Sequence, residues 1–363
     1  MPLPATIERP TREKYHIALE PVQNAFASMT LLAKNEEMPG LSPWITQTRA
    51  RLAAEELFRH RLVIIGFYYA ILPEMGWASF PEYLDVLEKT ESSSLVNKLL
   101  DAYSKICCLP NAKDTEQEID WDEVLSSAEQ YVKFLSEGYE GHIEVDIETK
   151  AYEYVIDPPA LKALLTQHLR WFWDEYLADE WLRTESILRE SVKSFQSVNL
   201  NNMSRLEAAR YVTGQELDET SWQEKLEWAD EITFIPNAHI GPYIHKVHSG
   251  NSLALVFGAR QPDDASIRIP ELDRADIVAR MSAIADDTRL RILQMIAERG
   301  ELRSQDIMEE VELSQPSVSR YLTQLTVSGY LKERRVNGAK AYALNRDRIE
   351  KTLKAVHKFL LGS

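Results

Sequence analysis

The sequence predicts a mostly helical α+β protein: a large helical N-terminal domain with a few strands, followed by a C-terminal winged helix-turn-helix. Three observations predict it. Runs of apolar residues at helical spacing dominate the N-terminal part. A polar, proline-bearing stretch from Ala259 to Ala265, followed by Pro270, has the composition of a linker. Beyond it, Asp286 to Leu344 carries the start and stop signals of a helix, a short helix, a turn, a helix and a β-ribbon, in that order.

In the N-terminal part the helical runs fall at Pro21 to Leu32, Trp44 to Leu57, Trp121 to Leu135, Pro159 to Tyr176 and Glu180 to Phe195. Strands are expected at Ile232 to Ile235 and in a hairpin of Tyr243 to His248 and Leu253 to Phe257, turned by Ser249-Gly250-Asn251-Ser252. A chain of 363 residues predicts about two or three domains. We expect a mostly helical domain over 1–262, with a subdomain break near 110–118, a linker over 263–272, and the winged helix-turn-helix over 273–361.

In the C-terminal part each element has its own local cause. Asp286 or Asp287 can accept from unpaired backbone N–H groups and cap a helix whose Leu290, Leu293 and Ile296 share a face, and Gly300 lies just past its end. Ser304 starts a short helix with Ile307, Met308 and Val311 on its buried side. The Glu312-Leu313 turn leads to Ser314, a second N-cap, and Pro316 suits a first helical turn because its missing N–H had no intrahelical partner. Val318, Leu322 and Leu325 recur at helical spacing and should face the core; Gly329 ends the helix. Tyr330 to Val336 and Ala339 to Leu344 then read as two strands joined by Asn337-Gly338, a pair that tolerates the positive φ of a tight hairpin.

This order of elements is that of a device that lays one helix in the DNA major groove and rests its wing on the backbone. The residues expected to face outward suit the task. Ser314, Gln315, Ser317, Ser319, Arg320, Thr323 and Gln324 line the recognition face, with Arg320 matched to guanine and Gln315 to adenine. Lys332, Arg334, Arg335 and Lys340 charge the wing for phosphate contact. The whole chain carries net charge −16, which by itself argues against a polyanionic partner. The charge is unevenly spread: residues 1–270 carry −18 and residues 314–363 carry +7. An acidic body with a basic tip is repelled from DNA everywhere but at the tip.

From about Arg274 to Phe359 the sequence resembles the DNA-binding domain of the ArsR family of bacterial transcription regulators, through DDTRLRIL, SQPSVSRYL and RRVNGAKAYAL. The resemblance implies a homodimer on a palindromic double-stranded DNA operator, usually a repressor released by an effector, with the first and last helices of the domain forming the dimer interface. Ile277, Met281 and Ile284 make one such apolar edge, and Ile349, Leu353, Val356 and Leu360 the other, although packing against the chain's own N-terminal part would account for them equally. Where metal-sensing members carry a Cys-x-Cys pair, this chain reads Glu301 to Asp306 with no thiol, and the last helix offers only Asp347 and His357. No metal and no cofactor are expected. The long N-terminal extension resembles that of longer ArsR-type regulators, and an unknown effector or partner is expected to act there.

Other features of the N-terminal part are open to two readings. All eight tryptophans lie in it, and Trp171-Phe172-Trp173 beside Tyr176 is the densest aromatic group, suited to a core or to a ligand pocket. Cys107-Cys108 are vicinal thiols able to hold a soft ion or to act as small hydrophobes at a buried helix end. His239, His245 and His248 lie close in sequence, but His245 and His248 would point to opposite faces of a strand. No glycine-rich cofactor loop, Walker loop, G-x-S-x-G or H-E-x-x-H is present, so an enzyme is not expected. The N-terminus lacks an apolar signal core and the longest uncharged apolar run, Leu62 to Leu72, is too short to span a bilayer, so a cytoplasmic protein without membrane partners is expected. A protein-interaction adaptor whose winged helix meets another protein is the competing expectation.

Overall fold

The computed structural model describes residues 14–34, 38–107, 119–139, 141–217, 219–249, 251–263, 265, 269–336 and 338–362. The chain forms two compact units, one of Glu20–Glu36 and Pro43–Arg183, the other of Met1–Leu19, Glu37–Ser42 and Thr184–Ser363.

The first unit is helical. Helix Pro21–Ala33 buries nearly its whole length, and Phe26 packs edge-on against Phe80 and Tyr83. The run expected as one helix from Trp44 to Leu57 is two, Pro43–Arg51 and Ala54–Arg61, because the Glu56 carboxylate accepts from the Ala53 N–H at 2.8 Å and restarts the helix. Trp121 to Leu135 likewise divides into Trp121–Val124 and Ala128–Gly138, where Ser127 Oγ accepts from Gln130 N–H at 3.2 Å. The runs at Pro159 and Glu180, by contrast, are continuous. Asp157 caps a helix from Pro158 to Phe172, which passes through a wide π turn at Trp173–Leu177 into Ala178–Gln196.

Trp171-Phe172-Trp173 joins the core of this unit. Phe172 is fully buried, and Trp173 stacks on Phe80 with centroids 5.2 Å apart. A buried imidazole pair lies alongside: His60 Nδ1 meets His168 Nε2 at 3.1 Å, and His60 Nε2 donates to the Met29 carbonyl at 2.9 Å. Burial lowers both rings, His60 to about 4 and His168 to about 2, so the pair is neutral at physiological pH. Helix Ser92–Cys107 ends at the first cysteine; Cys108 and the polar break at 110–118 lie outside the described residues.

The second unit contains a four-stranded mixed sheet and the winged helix. Strands β1 (Tyr15–Ile17), β2 (Glu231–Asn237), β3 (Ile244–Ser249) and β4 (Ser252–Gly258) assemble in the order β1-β2-β4-β3, with β3 and β4 antiparallel and the other pairs parallel. The expected hairpin is β3–β4, although Gly250 of its turn lies outside the described residues. Helix Arg205–Thr213 buries Ala208, Ala209 and Val212 in the same core as Phe234, Leu255 and Phe257. His239 is buried with its N–H on Asn237 Oδ1, and His248 packs on Trp228. Among the described residues no group of three or more His, Cys, Asp or Glu is placed to hold a metal ion, and no helix is long and apolar enough to cross a membrane.

The stretch 263–272, expected as a linker, lies inside this second unit. Gln261 is buried, its amide accepting from Ile269 N–H and donating to Asp273, and helix Pro270–Ile284 begins within the stretch with Leu272 buried.

Candidate nucleic-acid interface

The winged helix grows from the local signals of its sequence. Asp286 Oδ1 accepts from Arg289 N–H at 2.9 Å and starts helix Asp287–Arg299, which Gly300 ends at φ +87°. Leu302–Arg303 (β5) leads into helix Ser304–Val311, where the Asp306 carboxylate accepts from Arg303 N–H at 3.0 Å. The turn to the next helix passes through Glu312 at φ +54°, the one non-glycine residue with positive φ among those described. Ser314 is the N-cap of the recognition helix Gln315–Val327, but its hydroxyl meets Ser317 Oγ at 3.0 Å instead of a backbone N–H, and so stays at the outer surface. Gly329, at φ +80°, turns the chain into β6 (Leu331–Val336), which pairs with β7 (Ala339–Leu344) in the sheet order β5-β7-β6. The ladder closes at Val336 and Ala339 around the expected two-residue turn; Gly338 has φ +80°, and Asn337 lies outside the described residues.

Ile292, Leu293, Ile296, Ile307, Val318, Leu322, Leu325 and Tyr330 form one buried cluster. The Tyr330 hydroxyl donates to the Arg280 carbonyl at 3.0 Å and lies 3.2 Å from Thr352 Oγ1. The strand start thereby ties together helix Pro270–Ile284 and the terminal helix Arg346–Leu361. Leu290 differs from expectation: it is 51 % exposed. On a helix of 3.6 residues per turn it lies about 120° around from Ile296 and falls off the buried stripe.

Ser314, Gln315, Ser319, Arg320 and Thr323 are exposed on the recognition helix and Ser317 is half-buried. Arg320 extends over the Tyr321 ring, 5.5 Å from its centroid. Gln324 is the correction. Expected on the outer face, it is buried at 6 % exposure because Arg289 covers it: its amide oxygen accepts from Arg289 Nη1 at 3.0 Å, while Arg289 Nη2 donates to the Ser282 carbonyl at 3.1 Å.

On the wing, Lys332, Arg334, Arg335 and Lys340 are all exposed. Two of the four are paired. Arg334 forms a two-pronged ion pair with Glu301, whose carboxyl it lowers, and Lys340 lies 2.9 Å from Glu333. Arg335 and Lys340 stand directly opposite in the ladder, a like-charge juxtaposition that is unfavourable unless an anion faces it. Sequence reasoning missed Glu301 and Glu333, whose proximity depends on strand register.

The expected dimer edge divides. Ile284 and Ile349 pack against the winged helix's own core and Ile277 and Val356 are half-buried, whereas Met281, Leu353 and Leu360 are 37, 57 and 70 % exposed.

The same segment carries the likeness to known proteins. The family model described as bacterial regulatory protein, arsR family, matches residues 286–333. Over 52 residues the chain is 48 % identical to the arsenic resistance transcriptional regulator ArsR1 of Pseudomonas putida, covering 14 % of this chain and 41 % of that protein. It is 42 % identical over 52 residues to the arsenical resistance operon repressor of Escherichia coli, covering 14 % and 44 %. It is 34 % identical over 74 residues to an uncharacterized HTH-type transcriptional regulator of Methanocaldococcus jannaschii, covering 20 % of this chain and 83 % of that one. The chain thus spans about two fifths of the arsenic-resistance regulators it matches and most of the archaeal one. With the caps, the turn and the recognition helix in the matched segment and most of the length of the archaeal regulator covered, this chain belongs to the arsR family of bacterial regulatory proteins.

Proposed function

We propose that this chain is a sequence-specific DNA-binding transcriptional repressor that acts as a homodimer, with an effector or partner sensed by the residues preceding the winged helix. The observation that carries the reading is the exposed face of Gln315–Val327, where Gln315, Ser319, Arg320 and Thr323 stand free of the core while Val318, Leu322 and Leu325 anchor the helix beneath them. Arginine forks and short hydroxyls on a rigid helix are the groups that read base edges and fix register on phosphates. Lys332 and Arg335 add phosphate-seeking charge beside them. Residues 273–361 serve as the DNA-binding and dimerisation module, with Met281, Leu353 and Leu360 as the apolar patch for a second copy. The names of the relatives, an arsenic resistance transcriptional regulator and an arsenical resistance operon repressor, support repression; the absence of a Cys-x-Cys pair at Glu301–Asp306 argues for a ligand other than a thiol-bound metal.

Selection from a randomised duplex pool, followed by gel-shift titration of the winning duplex at several salt concentrations, tests the reading. A two-fold symmetric consensus and a steep fall of affinity with salt are expected. A second reading, a protein-binding adaptor, draws on the neutralisation of Arg334 and Lys340 by Glu301 and Glu333. No consensus and no salt dependence would favour it.

A further inference from the structure

A cavity of about 500 Å³ opens between the end of helix Arg205–Thr213 and the start of the terminal helix, within the second unit. Arg210, Tyr211, Gly214, Asp263, Arg348 and Lys351 form much of its wall. Two further guanidiniums, Arg260 and Arg280, each 5 % exposed, reach Asp263: Arg260 Nη2 donates to its carboxylate at 2.6 Å, and Arg280 Nη2 lies 4.0 Å away. Four cations, Arg260, Arg280, Lys351 and Arg348, act on this one carboxylate, and together they outweigh burial and lower its pKa.

Two more carboxylates, Glu207 and Glu216, also line the cavity, and Arg210 acts on Glu207. Arg280 has a second partner in Asp276 at 2.5 Å, and Arg260 also donates to the carbonyls of Tyr211 and Val212. The Nε atoms of both arginines are buried and have no hydrogen-bond partner among the described residues. Arg348 is lowered to about 10, first by burial and then by Arg280. Glycine keeps the wall open on one side: a Cβ at Gly214, already at φ +68°, would stand 2.8 Å from the Arg260 guanidinium.

Arg348 also joins two parts of the chain. Its Nη1 donates to the Gly214 carbonyl and its Nε to the carbonyl of Ser328, the C-cap of the recognition helix, both at 3.1 Å. We propose that this cavity is an effector site for the carboxylate or phosphate group of a small organic anion. The anion is held by Arg348, Lys351 and Arg210, and it draws Arg348 away from Gly214 and Ser328 and so alters the seating of the recognition helix. The coupling to DNA rests on the function proposed above; the anion site does not. A bidentate guanidinium is the group best matched to either oxyanion.

The test uses the full chain and calorimetric titration with inorganic phosphate in one arm and succinate in the other, at constant ionic strength set with chloride. Saturable binding of one ion per chain is expected in at least one arm, and the arm that binds identifies the ligand chemistry. Lys351→Gln weakens it at least tenfold, whereas Lys354→Gln, at a side chain 80 % exposed on the same helix, leaves it within twofold. No saturable binding in either arm, or wild-type binding by Lys351→Gln, overturns the site. In a parallel gel shift, the bound ion changes affinity for the selected duplex at least threefold in wild type and not in Lys351→Gln; equal affinity with and without ion overturns the coupling. Ion binding by a chain that selects no duplex would support the site while removing the regulator reading.

Discussion

Replacing Gln324 by alanine separates a structural role from a DNA-contacting one. Arg289 is 8 % exposed and holds its charge on two acceptors, the Gln324 amide and the Ser282 carbonyl; its Nε has no hydrogen-bond partner among the described residues, with Asp286 Oδ1 4.0 Å away. Gln324→Ala leaves Nη1 without an acceptor where water scarcely reaches. A hydrogen bond from a charged donor contributes about 1.5–3 kcal/mol, and an unsatisfied buried donor costs a similar amount, so a loss of about 2 kcal/mol is expected. That corresponds to roughly 30-fold faster amide exchange wherever opening is rate-determined by local stability. Hydrogen-exchange mass spectrometry on the full chain, reading peptides from Asp287–Arg299 and Gln315–Val327, measures it directly. Gln324→Glu places a carboxylate on Arg289 and should keep or raise protection, with duplex affinity within about threefold of wild type. Unchanged exchange in the alanine variant, or collapse of duplex binding in a well-protected glutamate variant, would refute the argument.

Arg320→Ala should weaken duplex binding by about 1–3 kcal/mol and relax one base position, read by gel shifts on singly substituted duplexes; an equal loss at every position contradicts base reading. Arg335→Gln should flatten the salt slope by about 0.9, whereas Glu301→Gln frees Arg334 and should steepen it, so a flatter slope in Glu301→Gln argues that Arg334 faces away from the duplex. Leu353→Glu, at an exposed apolar position, should convert the proposed dimer to monomer in sedimentation velocity, and an unchanged mass argues against this interface. The last concerns acid. With His60 near 4 and His168 near 2, against about 6.5 in the unfolded chain, the unfolded state binds protons that the fold excludes. Their stability is fully present above about pH 6.5 and is lost as pH falls, by about 2 kcal/mol each at pH 5. Glu148, raised to about 7 by burial, gains about 2 kcal/mol over the same interval. Glu148→Gln should therefore steepen the acid dependence of unfolding followed by tryptophan fluorescence, Trp171 being 5.5 Å from the His168 ring; parallel curves would rule the compensation out.

The winged helix was legible because its determinants are local. Asp286, Gly300, Pro316 and Gly329 each act within a turn of their own position, and a helix boundary set that way survives whatever packs against it. The recognition face followed from helical periodicity for Gln315, Ser319, Arg320 and Thr323, which are exposed. Periodicity was insufficient for Gln324, since a polar residue on the flank of a stripe turns inward only when a partner such as Arg289 arrives from another helix. Leu290 is the mirror case, an apolar residue left outside because the stripe is narrower than its composition suggests. In the N-terminal part, helical runs announced themselves while Glu56 and Ser127, which divide two of them, did not.

The amino-acid order alone determined the elements of the winged helix, their sequence along the chain and the basic end on an acidic body, because capping, turn chemistry and charge need no distant partner. Tertiary structure decided which charges are spent on one another, as with Arg334 on Glu301, and which strand Tyr15–Ile17 joins. It also decided that Arg348 holds Gly214 and Ser328 together and that four cations meet at Asp263. Those outcomes depend on through-space distances of a few ångströms between residues remote in the chain, and Coulomb and hydrogen-bond energies are set by such distances and not by order.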